Sequence, residues 1–306
     1  MKSAVLIDNY GCRIISGGAD IIIDPSDANF GRIPDGVIFS CPQAAGAKCL
    51  NQLATYETTP VYTAAVTKKL LNLNFIKYGS LTSDGGVDKR IIEEIISCRQ
   101  KAKNVLRKQG QFKSEIIFLN NSKVPGEYDV FIKTASHSIV YANTPSDKVF
   151  PKHDILIINA NKKAPAEQFL RRLPKAVIKA ENFSGLYTIL DYFNCKDSNI
   201  KVGVDETVST PACEYLKMDC TVFSKNVRPL SSFKKTPSVI ISAKPENYKS
   251  YTVLPSSLFG CNASLYDIYK LAANSYAKKI IVITNKTHVT HKRGNIFFCQ
   301  SGALEL

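Results

Sequence analysis

Residues 19–71 read ADIIIDPSDANFGRIPDGVIFSCPQAAGAKCLNQLATYETTPVYTAAVTKKLL. Two apolar runs stand out, Ala19–Ile23 and Gly36–Ser40, both rich in Ile, Val or Phe. Runs of that length and composition read as strands. Asp24-Pro25 closes the first and Cys41-Pro42 the second. Ala44–Thr55 suits a helix, and Pro60-Val61-Tyr62 a short strand leading into a helix over Thr63–Leu71. The alternation predicts a mixed fold in which sheets carry helices on their faces.

Working outward, Ala4–Ile7 and Arg13–Ser16 read as strands, and Gly17-Gly18 makes a two-residue hairpin turn before Ala19. On the other side, Val87, Ile91, Ile95 and Cys98 recur at helical spacing, and Gly110 stops the pattern. The spacing predicts one long helix over 86–109, with Arg99, Lys103 and Arg107 as a basic stripe on its C-terminal half, where cations also suit the helix dipole. Strands follow at Glu115–Leu119, Tyr128–Lys133, Ser138–Asn143 and Asp154–Asn159. Residues 164–230 then alternate helix and strand, with Ala176–Lys179 and Val202–Val204 among the strands, as in a parallel sheet. Past a polar stretch come strands at Ser238–Ser242 and Tyr251–Leu254, a helix over Ser264–Asn274, and strands at Lys279–Thr284 and Asn295–Cys299. The predicted organisation is a core of residues 1–162 and 235–306 with an αβ insert over 163–234.

Composition narrows the functional class. With 44% hydrophobic and 22% charged residues over 306 positions, the chain has the makings of a packed globule. No apolar run is long enough to span a bilayer, and the N-terminus reads as a strand rather than a signal peptide, so a cytoplasmic protein is expected. Nine scattered cysteines without a C-x-x-C pair point neither to a disulfide framework nor to a zinc ribbon. The phosphate-binding, nucleophile-elbow and H-E-x-x-H signatures are missing as well. Lys and Arg outnumber Asp and Glu by 40 to 26, for a net charge of +14. An excess of that size favours polyanions, because each phosphate contact releases counterions, although solubility alone accounts for it equally well.

The opening stretch resembles the start of the metallo-β-lactamase-fold proteins of the β-CASP nuclease group. Their hairpin ends in an apolar strand closed by Asp, as in Ile21-Ile22-Ile23-Asp24, and a "PVY-x-T-x-x-T-x-x-L" segment follows the first helix. Residues 60–70, PVYTAAVTKKL, match that segment except at Ala64. Ser122-Lys123-Val124-Pro125-Gly126 is similar to the family's "GH-x-P-G", Tyr141-Ala142-Asn143-Thr144 to its "Y-T-G-D", and Asp154–Asn161 to the strand entering its inserted domain. Phe259–Ser264 is similar to its "S-G-H-x-S". The resemblance implies a four-layer αββα sandwich with a short β-CASP-like insert.

The family's metal ligands do not survive in this pattern. Where it has H-x-H-x-D-H, this sequence puts Cys41, Gln43, Ala45 and Gly46, and Lys123, Thr144 and Cys261 fall on later ligand positions. Two-metal hydrolysis needs imidazoles and carboxylates around both ions. The resemblance therefore implies a vestigial pocket of Asp24, Cys41, Gln43, Lys123, Thr144 and Cys261, with no metal, no other cofactor and no catalytic residue. An ammonium at Lys123 would repel a cation there and would need a partner such as Asp24. A zinc site rebuilt on Asp24, Cys41 and Cys261, or a Cys41 nucleophile, is the enzymatic alternative. His288 and His291 read as part of a solvated basic loop in preference to a metal pair.

The resemblance thus implies an inactive subunit that binds RNA or DNA, or that pairs with an active nuclease or another protein. Candidate phosphate contacts are Lys68, Lys69, Arg99, Lys103, Arg107, Arg171, Arg172, Lys175, Lys292 and Arg293. A scaffold that touches protein alone is the competing reading, and it would show an apolar surface patch in place of a basic cleft.

Overall fold

The structure, a computed structural model, describes residues 3–8, 11–42, 44–56, 58–77, 87–108, 110–119, 126–143, 149–160, 170, 173–180, 186, 189, 193, 200–209, 227–256, 265–284 and 291–306. In chain order the strands and helices are β1 (Ala4–Asp8), β2 (Gly11–Ser16), β3 (Ala19–Ile23), β4 (Gly36–Phe39), α1 (Ala47–Leu53), β5 (Val61–Ala64), α2 (Ala65–Asn72), α3 (Lys89–Glu94), β6 (Ile96–Cys98), β7 (Asn104–Lys108), β8 (Gln111–Leu119), β9 (Asp129–Thr134), β10 (Ser138–Ala142) and β11 (Ile155–Asn159). They continue with β12 (Ala176–Lys179), β13 (Val202–Val204), β14 (Val227–Pro229), β15 (Val239–Ser242), β16 (Thr252–Pro255), α4 (Leu265–Ala273), β17 (Lys279–Ile283), β18 (His291–Arg293), β19 (Ile296–Cys299) and β20 (Gly302–Glu305).

Among the described residues the fold is mixed α/β with three sheets and few helices. It divides into two compact units, one of residues 1–72, 84–162 and 263–306, the other of 73–83 and 163–262. In the first unit one sheet runs β20-β1-β2-β3-β4-β5-β6, antiparallel from β20 to β3 and parallel from β3 to β6. The other runs β18-β19-β17-β11-β10-β9-β8-β7, with a parallel centre from β19 to β10 and antiparallel flanks. The two sheets share one core: Ile14, Ile21, Ile23 and Ile38 from the first meet Ile116, Phe118, Ile132, Ile139, Ile157 and Ile281 from the second. Strand alternation supplies the opposite face. Leu156 and Ile158 of β11 and Ile280 and Val282 of β17 pack under Ile268, Leu271 and Ala272 of α4.

The predicted hairpin at Gly17-Gly18 forms as the sequence requires. Both glycines have positive φ, 55° and 79°, the demand of a two-residue turn matched to strand twist. A Cβ at Gly17 would stand 2.8 Å from the backbone nitrogens of Ala135 and Ser136, so glycine is needed there for space as well.

The long helix expected over 86–109 is not formed. The chain makes α3, then β6, crosses at Lys101 (φ 57°), and continues as β7. Asp88 caps α3 by accepting from the Arg90 N–H at 2.9 Å. Val87, Ile95 and Cys98 are buried as the spacing suggested, but Ile92, rather than Ile91, is the fully buried residue of the helix. Pairing of β6 with β5 and of β7 with β8 outweighs the helical pattern, and Gly110 (φ 77°) belongs to the β7–β8 turn. Arg99, Lys103 and Arg107 thus lie on strands and their connection, where no helix dipole acts on them.

The second unit holds a five-stranded, wholly parallel sheet ordered β14-β13-β15-β12-β16. β15 and β16 pair within it on either side of β12, so this unit extends to 262, past the expected return at 235. The helices expected between the strands of 164–230 fall largely outside the described residues.

Phe118 is fully buried in the shared core and meets Tyr128 edge-on at 6.2 Å. Phe118→Ala should lower the stability of the first unit by about 3–5 kcal/mol. Denaturant unfolding followed by near-UV circular dichroism measures the shift, and a loss below about 1 kcal/mol would place the ring outside a well-packed core.

Candidate functional site

In the first unit, polar side chains gather where the carboxyl ends of β3 and β4 meet those of β10 and β11. β3 ends at Ile23, and Asp24 takes a left-handed conformation (φ 51°) while its N–H donates to the Ile38 carbonyl at 2.9 Å. Such a conformation costs an ordinary residue on the order of 1 kcal/mol; Asp and Asn tolerate it best. The turn brings the Asp24 carboxylate to Ser40, whose N–H donates at 2.7 Å and whose hydroxyl donates to the second oxygen. The Ser40 hydroxyl accepts in turn from the Asn143 amide at 2.7 Å. Asn143 is held by its own N–H to Asp129 Oδ1 at 2.8 Å and by Nδ2 to the Tyr128 carbonyl at 2.9 Å.

The second arm enters through Tyr141. Its hydroxyl bonds to the Asp24 carboxylate and accepts from Asn159 Nδ2 at 3.2 Å. The other amide atom, Asn159 Oδ1, is buried with no hydrogen-bond partner among the described residues. Asp24 retains some solvent contact as a residue, but its carboxylate is enclosed. Burial pushes its pKa up to about 6, more than the Ser40 and Tyr141 donors pull it down. Tyr141 is raised well above the ordinary tyrosine range, first by burial and then by the negative charge of Asp24.

Of the six residues of the expected pocket, Asp24 and Cys41 are described, and Asp24 is a member of this network. Gln43, Lys123, Thr144 and Cys261 lie outside the described residues, as does the expected Lys123–Asp24 contact. Ser40, Tyr141 and Asn143 form the centre of the network, and sequence reasoning missed them as site residues. Their signal is positional: Ser40 follows GVIF, Asn143 follows SIVYA and Asn159 closes ILIIN, so each apolar strand delivers a polar group at its carboxyl end.

No family model matches this chain, and no curated protein matches it. The chemistry must therefore be read from the donors themselves. Among the described residues no three of His, Cys, Asp and Glu come together as a metal-binding group. His137 shares a hydrogen bond with Ser16 at 2.9 Å, and His153 with Ser275 at 2.9 Å, both remote from Asp24 in the fold's hydrogen-bonding pattern.

The basic candidates separate into engaged and exposed groups. Lys68 is half-buried and donates to the Glu93 and Ile95 carbonyls at 2.8 and 2.6 Å, closing the end of α3. Lys103 pairs with Glu115 at 3.6 Å, and Arg107 donates to the Gly110 carbonyl at 3.3 Å. In the second unit Lys175 lies over the Tyr251 ring at 5.4 Å, and in the first Arg293 lies over Tyr269 at 5.3 Å. Lys69 and Arg99 are exposed. Arg171, Arg172 and the Lys292 side chain are outside the described residues.

The Asp24 pKa has a thermodynamic consequence. Because the folded value of about 6 lies above an unfolded value near 4, the native state binds the proton more tightly. Asp24 therefore contributes stability that is fully present below about pH 4 and lost as pH rises through about 6. Relative to Asp24→Asn, the wild type should lose about 1–3 kcal/mol across that window. Paired denaturant titrations at pH 4 and pH 7 measure it; an unchanged difference would mean that folding leaves the carboxyl's pKa at its unfolded value.

Proposed function

We propose that this chain is a metallo-β-lactamase/β-CASP-like protein that lacks metal-dependent hydrolysis and serves as a nucleic-acid-binding subunit, alone or beside an active nuclease. On this reading the first unit is the αββα sandwich and the second is the inserted domain. The mixed sheets with a shared core, the helix α4 over β11 and β17, and the parallel-sheet unit leaving the chain after β11 all support it.

The observation that carries the functional half is the state of Asp24. Among the described residues, the corner where the resemblance expects a metal cluster holds a hydroxyl, two amides, a phenol and a carboxylate joined by hydrogen bonds, with Asn159 Oδ1 left over. Asp24 already accepts from Ser40 twice and from Tyr141, and neutral amides and hydroxyls are weak substitutes for imidazole on zinc. With hydrolysis set aside, the +14 charge supports a role in holding a phosphate backbone. No base-reading aromatic motif stands in the sequence, so the contact is expected to be largely sequence-independent.

The test joins two measurements on the full chain. Elemental analysis should find no stoichiometric zinc, iron or manganese. Titration against single- and double-stranded RNA and DNA at 50 and 200 mM salt should show little base preference and a loss of about tenfold or more at the higher salt. Metal-dependent cleavage of any of these substrates would overturn the first half of the proposal. No binding at the lower salt would overturn the second.

A further inference from the structure

In the parallel sheet of the second unit, the residues that precede the strands form a row along its amino edge. Val202 of β13 and Ala176 of β12 both pair with Val239 of β15, and Ala176 pairs on its other side with Thr252 of β16. Register therefore sets Lys201, Ser238, Lys175 and Tyr251 side by side, each one position before its strand. Neighbouring strands stand about 4.8 Å apart, so the backbones at Lys175 and Lys201, two strands apart, are separated by about 10 Å. Backbone bonds fix the row. The Ala176 N–H donates to the Ser238 carbonyl at 2.8 Å, and the Thr252 N–H to the Lys175 carbonyl at 3.1 Å.

Two more lysines stand on the loop that leads into Ser238. Residues 230–237 pack on β13 at Gly203, where a Cβ would stand 2.6 Å from Leu230 Cδ1 and 2.8 Å from Pro237 Cγ. Glycine there lets the loop lie against the strand, and the loop carries Lys234 and Lys235 just before Thr236-Pro237-Ser238. Tyr251 ties the loop to the row: its hydroxyl donates to the Pro237 carbonyl at 2.9 Å, and Lys175 Nζ lies over its ring at 5.4 Å. Lys201, Lys234 and Lys235 are exposed, and among the described residues none of them has a carboxylate partner. In the first unit, by contrast, Lys48, Lys103, Lys108 and Lys278 each pair with Asp or Glu. The described acids of the second unit, Asp205, Glu206 and Glu246, come after β13 and β15 in the chain, and Asp205 is bonded there by the Ser242 and Tyr248 hydroxyls.

Building on the nucleic-acid reading above, we propose that the amino edge of this sheet is the surface that holds the phosphate backbone, with Lys175, Lys201, Lys234 and Lys235 as its contacts. Of the four, only Lys175 is among the basic residues singled out from the sequence. Ammonium groups without a carboxylate partner meet phosphate without first giving up an ion pair, and each contact releases counterions. Lysine acts on phosphate as a point charge and reads no base edge, so the edge holds a strand without regard to its sequence. Cations spread along a row suit an extended polyanion, whereas a single small anion needs donors that converge on one point. The row lies within the second unit and shares no residue with the Asp24 corner.

The probe is fluorescein-labelled dT20, titrated by anisotropy against the full chain between 50 and 200 mM salt. Three forms are compared: wild type, Lys175→Gln with Lys201→Gln, and those two with Lys234→Gln and Lys235→Gln. Affinity at 50 mM salt should fall about tenfold or more in the fourfold variant. The slope of log affinity against log salt should become shallower by about 1 to 1.5 for the pair and by about 3 for all four. Lys133→Gln with Lys152→Gln removes the same charge as the pair from exposed positions of the first unit, and should change affinity less than about twofold. Thermal unfolding checks that each variant is folded. An unchanged slope in the fourfold variant, or an equal loss in the Lys133 and Lys152 control, overturns the assignment of the edge while nucleic-acid binding itself stands. Absence of dT20 binding by the wild type at 50 mM salt overturns both. Equally tight, Lys175- and Lys201-dependent binding of polyglutamate would make the edge a site for acidic protein and overturn it as well.

Discussion

The central strands of the first unit must bury both faces, and the rest of its structure depends on that constraint. β11 sends Ile155 and Ile157 into the core shared by the two sheets, and Leu156 and Ile158 towards α4. β17 divides in the same way, with Ile281 inward and Ile280 and Val282 outward. A parallel strand covered on both sides must be apolar at nearly every position, since its neighbours leave no solvated face. Each buried aliphatic side chain contributes about 1.5–3 kcal/mol relative to exposure, so one polar substitution inside these runs would be costly, whereas the first residue beyond them can be polar.

That rule explains why the polar groups collect at strand ends, and why similar carboxylates behave differently there. Asp24 and Asp205 both follow the last residue of a buried strand, and burial raises both. Asp205 accepts from the Tyr248, Thr207 and Ser242 hydroxyls and from the Thr207 N–H, and together these carry its pKa below the ordinary value. Asp24 has Ser40 and Tyr141 in a more enclosed place, and burial prevails. Asp154, near the surface, accepts from the Ser138 hydroxyl and N–H and from Lys278, and is pulled far down with little burial to oppose it. The difference lies in how many donors face each carboxylate for the solvent it has lost.

Much of this scaffold was legible from residue patterns, because two-sided burial writes itself as short apolar runs. Ala176–Lys179 and Val202–Val204 are strands over the residues expected, and Ala19–Ile23 and the Gly17-Gly18 hairpin follow from β-branching and glycine's freedom at positive φ. Residues 86–109 were misread because Val87, Ile95 and Cys98 are buried in a helix-like rhythm that a helix, a turn and two strands can also satisfy. Pairing partners distant in sequence decided the outcome: Tyr62 for Ile96, and Ile116 for Asn104. The extent of the second unit was obscured for the same reason, since β15 and β16 are told from core strands only by their pairing with β12. Asp24 and Cys41 could be singled out from the sequence, but Ser40 and Asn143 could not, because their role comes from a contact across 103 positions.

The hydrogen bonds at the Asp24 corner also bear on where partners would bind. A carboxylate that accepts from Ser40 and Tyr141 must lose those bonds to take up another ligand, and the left-handed backbone at Asp24 would lose part of what holds it. Exposed groups carry no such penalty. Arg99 and Lys69 already face solvent, as do the partly exposed Val105, Phe112 and Ile96. The β7–β8 hairpin can offer these side chains because Leu106 and Ile116 anchor it in the shared core, while Val105 and Phe112 add little to that core. Substitutions at Val105 or Arg107 should therefore leave the fold intact, whereas substitutions at Ser40 or Asn143 should disturb it.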